Sequence, residues 1–306
     1  MANMENENFE VVIIGGSYAG LAAAMALGRA IRKVLVIDSG QPCNRQTPHA
    51  HNFLTLDGTA PAEIAAMAKQ QVLAYPTIRF ENDLVTNVTG SNNDFLITTA
   101  GLKAFTARKI LFATGIKDIM PDIPGFSESW GISVIHCPYC HGYEYRGQHT
   151  GILMNGEMSF EFVKLIGNWS QKLTLFTNGA ATFDKGLFQK ITNPDFKIVQ
   201  KEILERSHDN GHLKEVIFRD GSSQKLEALY AKVPFVPQTD IPGKLGCLTD
   251  DSGYIKVDEF KRTSVPGIYA AGDNTTPMRA LAAAIAAGNM AGALLNKELI
   301  DDQYSV

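Results

Sequence analysis

Phe9-Glu10-Val11-Val12-Ile13-Ile14-Gly15-Gly16-Ser17-Tyr18-Ala19-Gly20 joins an apolar, largely β-branched run to a glycine-rich turn, and an alanine-rich stretch follows at residues 21–30. The apolar run reads as a buried strand and the alanine stretch as a helix. Residues 33–37 are a second apolar run ending at Asp38, so the segment predicts a βαβ unit. In that setting the amides of the turn and of the helix N-terminus can hold a pyrophosphate without any side chain. Asp38 stands 18 residues after Gly20, where an acid binds a ribose hydroxyl. Ser17 replaces the second glycine and leaves less room for backbone approach. Taken alone, the fingerprint also fits a plain strand-to-helix turn.

Working outward, residues 61–73 read as a helix and 80–88, 95–99 and 105–107 as antiparallel strands. Residues 109–114 form a returning core strand that ends at Ala113-Thr114-Gly115. Pro121 and Pro124 mark 118–130 as a connector. A second strand, turn, helix and strand follow at 151–154, 159–166 and 172–176, which echoes the first unit and suggests an internal duplication. Pro234, Pro237 and Pro242 mark a further connector. Beyond it, residues 267–295 read as a strand, a turn at Gly272-Asp273 and a long helix. The expected fold is α/β, with two Rossmann-like, three-layer nucleotide-binding domains. The first comprises 1–117 and 244–306, and the second, 118–243, is inserted in it and carries a nucleotide site expected to be degenerate.

The chain has 306 residues, 45% hydrophobic and 20% charged, enough for two ordinary soluble lobes. A net charge of -4 offers no basic field for a phosphate backbone or an anionic membrane. Neither nucleic acid nor membrane is an expected partner. The start of the chain is polar and acidic, without the pattern of a signal peptide, and a cytoplasmic location is expected. The alanine-rich stretch 280–296 is broken by Gly288, Asn289 and Gly292 and reads as a buried helix rather than a membrane span.

Four cysteines do not make a secreted disulphide framework, and a close pair in a reducing cytosol is catalytic or metal-binding. That pair lies in His136-Cys137-Pro138-Tyr139-Cys140-His141-Gly142-Tyr143-Glu144. Two thiols at this spacing can close a disulphide while a neighbouring imidazole handles their protons, which reads as a redox centre. Cys-x-x-Cys-His is also a haem-attachment signature, four-ligand zinc binding is conceivable, and so is a structural thiol pair. Missing export signals, adjacent would-be ligands and the cofactor context weigh against these in turn. Cys43 and Cys247 read as packed small residues. His49 and His51 read as loop residues, and Glu144 as a solvated acid.

The order of cofactor loop, Ala-Thr-Gly, paired cysteines, second βαβ unit and Gly-Asp resembles the low-molecular-weight thioredoxin reductase family along nearly the whole chain. The sequence Cys-Pro-Tyr-Cys-His-Gly-Tyr-Glu is similar to its dithiol oxidase-like members. The resemblance implies FAD on Gly15, Ser17, Tyr18, Ala19, Gly20, Asp38, Ala113, Thr114, Gly115, Gly272 and Asp273. It places the isoalloxazine at a helix N-terminus near 278–280, with Arg279 and Ala280. Arg45, Asn52 and Asp57, in the loop after Asp38, are expected to face the same cofactor or solvent. It further implies that Cys140 faces the flavin and Cys137 exchanges with substrate. His141 stands where the family carries an aspartate and is expected to be the acid-base partner.

Where the family's nicotinamide lobe has Gly-x-Gly-x-x-Ala, this chain has Met154-Asn155-Gly156-Glu157-Met158-Ser159. Where the family places an arginine cluster for the 2′-phosphate, it has Thr177-Asn178-Gly179, with no cation before Lys185. NADPH binding in the ordinary mode is therefore not expected. The expected function is a FAD-dependent dithiol/disulphide oxidoreductase that works without NADPH on a thioredoxin-like protein or a small-molecule dithiol or disulphide, as a homodimer. The alternatives are a conventional NADPH-dependent thioredoxin reductase and a flavin redox sensor that does not turn over.

Overall fold

The computed structural model describes residues 7–190 and 194–304, apart from the side chains of Lys185, Leu187 and Lys190. The acidic start at 1–6 and the cation expected at Lys185 therefore lie outside the described groups. The chain divides into two compact units. One contains Ala62–Lys117 and the described parts of Met1–Arg45 and Phe235–Val306; the other contains Gln46–Pro61 and the described parts of Asp118–Pro234.

The first unit begins with β1 (Glu7–Ile14), α1 (Tyr18–Arg29) and β2 (Val34–Asp38), the βαβ unit expected from the sequence. The helix starts at Tyr18 rather than residue 21, because the glycine turn is already helical after Ser17. After α2 (Pro61–Leu73) come β3 (Ile78–Asn82), β4 (Val85–Ser91), β5 (Asp94–Thr99) and β6 (Ala104–Phe112). β3 pairs parallel with β2, so the segment at 80–88 is not one antiparallel strand. It breaks at Asp83, whose carboxylate caps the Leu84 and Gly101 amides. The runs expected as separate strands at 105–107 and 109–114 are a single β6 with two kinds of partner. Its first half pairs antiparallel with β5, and its second half parallel with β17 (Ile268–Ala270). Burial alternates along the first half and becomes continuous in the second, the change that sequence periodicity read as a break.

β1 lies between β2 and β6, both parallel to it, so the chain reverses direction across the sheet at the carboxyl ends of β1 and β6. A crevice outside the strands is expected at such a point. The long α7 (Leu281–Tyr304) packs against α1. Gly288 and Gly292 permit this, since a Cβ at either would collide with the backbone of Ala19 or Ala23. Lys109 of β6 is fully buried and pairs with Glu298 and Asp302 of α7 at 2.7 and 2.8 Å. Cys247 is buried in the core on the other face of the sheet.

The chain leaves and re-enters this unit through β7 (Ile116–Asp118) and β16 (Phe235–Pro237), which pair. Within the second unit the connector contains a turn of helix, α3 (Phe126–Ser129). Then come β8 (Val134–Ile135), α4 (Pro138–His141), β9 (Thr150–Leu153), α5 (Met158–Ile166), β10 (Leu173–Phe176) and β11 (Lys197–Val199). β12 (Ile203–Asp209), β13 (His212–Phe218) and β14 (Ser223–Lys225) form an antiparallel sheet. β15 (Ala228–Ala231) completes a parallel sheet ordered β11-β10-β9-β15-β8. The short α6 (Ile241–Lys244) follows the return to the first unit. The fold is thus α/β, with a Rossmann-like parallel sheet in each unit. Among the described residues no helix is long and apolar enough to cross a membrane.

Candidate active site

At the carboxyl end of β1, Gly15 adopts φ +103 and passes against the Ala113 carbonyl, where a Cβ would collide. Its N–H donates to the Ile37 carbonyl at 2.8 Å. A Cβ at Gly20 would strike the Gly15 carbonyl, so helix and turn come together only through glycine. The Gly16 N–H donates to Asp38 Oδ1 at 2.9 Å, and the Gly40 N–H to Asp38 Oδ2 at 3.2 Å. Ser17 takes extended backbone at the N-cap of α1, its carbonyl accepting from the Leu21 N–H. A crevice of about 310 Å³ opens here, lined by Gly15, Gly16, Ser17, Asp38, Phe80 and Thr114 among others. It lies where the sheet reverses, beside a helix N-terminus that favours an anion. The donors, the acid at Asp38 and the glycine clearance together fit the ribose and pyrophosphate of a dinucleotide such as FAD.

The other expected FAD residues of this unit gather around the same strand ends. The Asn274 amide donates to the Phe112 carbonyl at 2.9 Å and to Thr114 Oγ1 at 3.5 Å, tying Ala113-Thr114-Gly115 to the Gly272-Asp273 turn. Gly272 takes φ +95. Cys43 Sγ donates to Asp273 Oδ2 at 3.9 Å. Burial raises the Tyr18 hydroxyl pKa, opposed by a hydrogen bond to Asn44. Arg279 and Ala280 precede α7, which begins at Leu281. Arg45 is exposed and folds back on the Pro42 carbonyl at 3.5 Å. Asn52 and Asp57 are not in this unit. The loop 46–61 packs within the second unit although sequence order puts it between β2 and α2. It is closed by the Ala50–Thr59 bridge and by the Asn52 N–H, which donates to Asp57 Oδ1 at 2.7 Å.

The paired cysteines follow β8 directly. Cys137 caps α4 and forms a disulphide with Cys140, their Cα atoms 5.3 Å apart. The Cys140 N–H donates to Cys137 Sγ at 3.2 Å, a contact that would stabilise negative charge on that sulfur once the bond opens. His136 turns to stack on Trp130, with ring centroids 5.9 Å apart. His141 is half-buried, and burial, helped by the charge of His51, lowers its pKa to about 4. Its imidazole is therefore neutral near pH 7 and able to accept a proton, a more one-sided role than the symmetric acid and base expected from sequence. His51 and Glu144, read as bystanders in the sequence, join this group. His51 Nδ1 lies 3.5 Å from Asp57 Oδ2, and its Nε2 lies 3.7 Å from Glu144 Oε1. The only sequence signal for them was the length of the motif to Glu144 and two histidines in one loop. Among the described residues no group of three or more His, Cys, Asp or Glu side chains is placed to hold a metal ion.

In the β9–α5 turn, Asn155 fills the space under the loop. Its amide donates to the Ala180 carbonyl at 2.8 Å and the Thr177 carbonyl at 3.3 Å, and its oxygen accepts from the Gly156 and Thr182 amides, both at 2.9 Å. Glu157 is the N-cap residue of α5, and its carboxylate accepts from the Asp184 N–H at 3.3 Å.

The family model described as pyridine nucleotide-disulphide oxidoreductase matches residues 9–158 and 183–290. Thioredoxin reductase tcpT of Claviceps purpurea is 32% identical over 96% of this chain and 95% of its own length. Thioredoxin reductase sirT of Leptosphaeria maculans is 31% identical over 94% of this chain and 93% of its own. The crystal structure of an oxidoreductase from Agrobacterium tumefaciens is 35% identical and superposes with a TM-score of 0.90, covering 96% of this chain and 99% of that one.

Proposed function

This chain belongs to the pyridine nucleotide-disulphide oxidoreductase family, as an FAD-dependent enzyme of the thioredoxin reductase-like class, and from that premise we propose that it exchanges an electron pair between FAD and the Cys137–Cys140 disulphide without drawing on NADPH. The observation that carries the NADPH-independent reading is the β9–α5 turn. Asn155 occupies the interior of the loop, and a carboxylate, Glu157, caps the helix where a pyrophosphate needs bare amides. A dinucleotide would have to displace the first and repel the second.

FAD, when bound, supplies the two-electron carrier that completes the cycle. The glycine turn, Asp38 and the α1 N-terminus hold its diphosphate and ribose; Asp273 and the start of α7 serve the flavin end. Cys137 exchanges with the substrate, and its sulfur receives the Cys140 N–H as the disulphide opens. His141 accepts a proton from an incoming thiol and faces the negative charge left on Cys140. Tyr139 and Tyr143, 64% and 65% exposed beside the pair, suit an apolar substrate surface. The partner is a small-molecule dithiol or a thioredoxin-like protein, the latter suggested by the names of the relatives. The working form is a homodimer in the cytoplasm.

Anaerobic absorbance of the purified yellow protein tests this reading. Bleaching of the flavin by a dithiol, with the spectrum unchanged by NADPH, is the expected result. Rapid bleaching by NADPH would replace it with a conventional NADPH-dependent reductase.

A further inference from the structure

The loop 46–61 belongs to the second unit and brings His51 to the redox centre. There the imidazole is 21% exposed, with a carboxylate off each ring nitrogen: Asp57 at 3.5 Å and Glu144 at 3.7 Å. Both separations exceed a direct hydrogen bond and suit a bridging water or a small side-chain rotation. The two carboxylates are themselves open to solvent, at 64% and 36% exposure. On its inner side His51 faces His141, close enough for the charge of one ring to weigh on the other. The remaining titratable neighbour is His49, with ring centroids 6.3 Å apart; its Nδ1 is turned to the Gly58 carbonyl.

We propose that His51 is a positioning residue that relays protons between His141 and solvent, with Asp57 and Glu144 as its two outlets. The inference rests on the thiol–disulphide reading above and adds to it the route by which protons leave. In exchange with a dithiol, the first substrate thiol gives its proton to His141 and attacks Cys137 Sγ. The Cys137–Cys140 bond breaks, and Cys140 departs as a thiolate. The second substrate thiol then attacks the substrate sulfur of the mixed disulphide, closes the substrate disulphide and leaves its proton on the departing Cys137 sulfur. The first proton stays on the imidazole pair, opposite the Cys140 thiolate, until His51 passes it outward or returns it to sulfur. Two substrate protons and one electron pair are thereby accounted for, with no further reactant.

The test uses the full-length, FAD-loaded protein, mixed anaerobically with dithiothreitol between about pH 6 and 9, alkylated with iodoacetamide and analysed by mass for opened Cys137 and Cys140. His51→Ala should slow opening about 10-fold near pH 7 and flatten the pH dependence, and added imidazole should restore at least half of the rate. Opening at the wild-type rate across the pH range would overturn the relay, as would a loss that imidazole does not repair. If circular dichroism shows His51→Ala unfolded, Glu144→Gln combined with Asp57→Asn carries the test. A several-fold slowing with an altered pH profile supports the relay, and an unaltered profile overturns it. A wild-type disulphide that dithiothreitol does not open would instead sink the underlying thiol–disulphide reading.

Discussion

His141 carries the clearest consequence at the scale of single residues. Burial first, and His51 second, lower its pKa from 6.5 to about 4 in the oxidised protein. The unfolded chain therefore takes up a proton as pH falls through 6.5, whereas the folded chain resists until about 4. Stability is complete above the higher value and declines between the two. The loss at about pH 5 is at most about 2 kcal/mol. His141→Asn should remove that part of the slope, read as the difference in urea midpoint of the oxidised protein at about pH 7.5 and about pH 5. The cysteine pair, its following histidine and the glycines of the first turn were all legible in the sequence, because each does its work through its immediate chain neighbours. His51 was not. Its role depends on a loop and a motif brought together from distant parts of the chain, and no local spacing encodes that contact.

Among elements, the pairing of α1 with α7 links packing to cofactor binding. Gly288 lies against the Ala19 backbone, one residue into the helix whose N-terminus faces the crevice. Gly288→Ala should push α7 away from α1, cost about 1–3 kcal/mol and loosen FAD, seen as a lower melting temperature and a lower flavin-to-protein ratio after gel filtration. In the sequence these glycines looked like interruptions in an alanine helix; in the fold they are what lets two helices touch. β6 shows the converse. Its change from alternating to continuous burial suggested two strands, because periodicity reports how many faces are covered and not whether the backbone is broken.

At the scale of the whole molecule, the chain uses one architecture twice, and the two turns differ. Hydrogen exchange should show FAD protecting residues 15–20 and 113–115, while NADPH leaves 154–159 unchanged. Protection of the second turn by NADPH would show that Asn155 and Glu157 can be displaced. The sequence by itself determined the two α/β units, the first cofactor turn and the redox pair, since helical and strand periods, glycine positions and a Cys-x-x-Cys turn act over a few residues. Only the tertiary structure decided that 46–61 serves the second unit, that β6 is one strand shared by two partners, and that Asn155 fills its loop. Each depends on which distant surfaces bury one another, and that is a property of packing rather than of local chain preference.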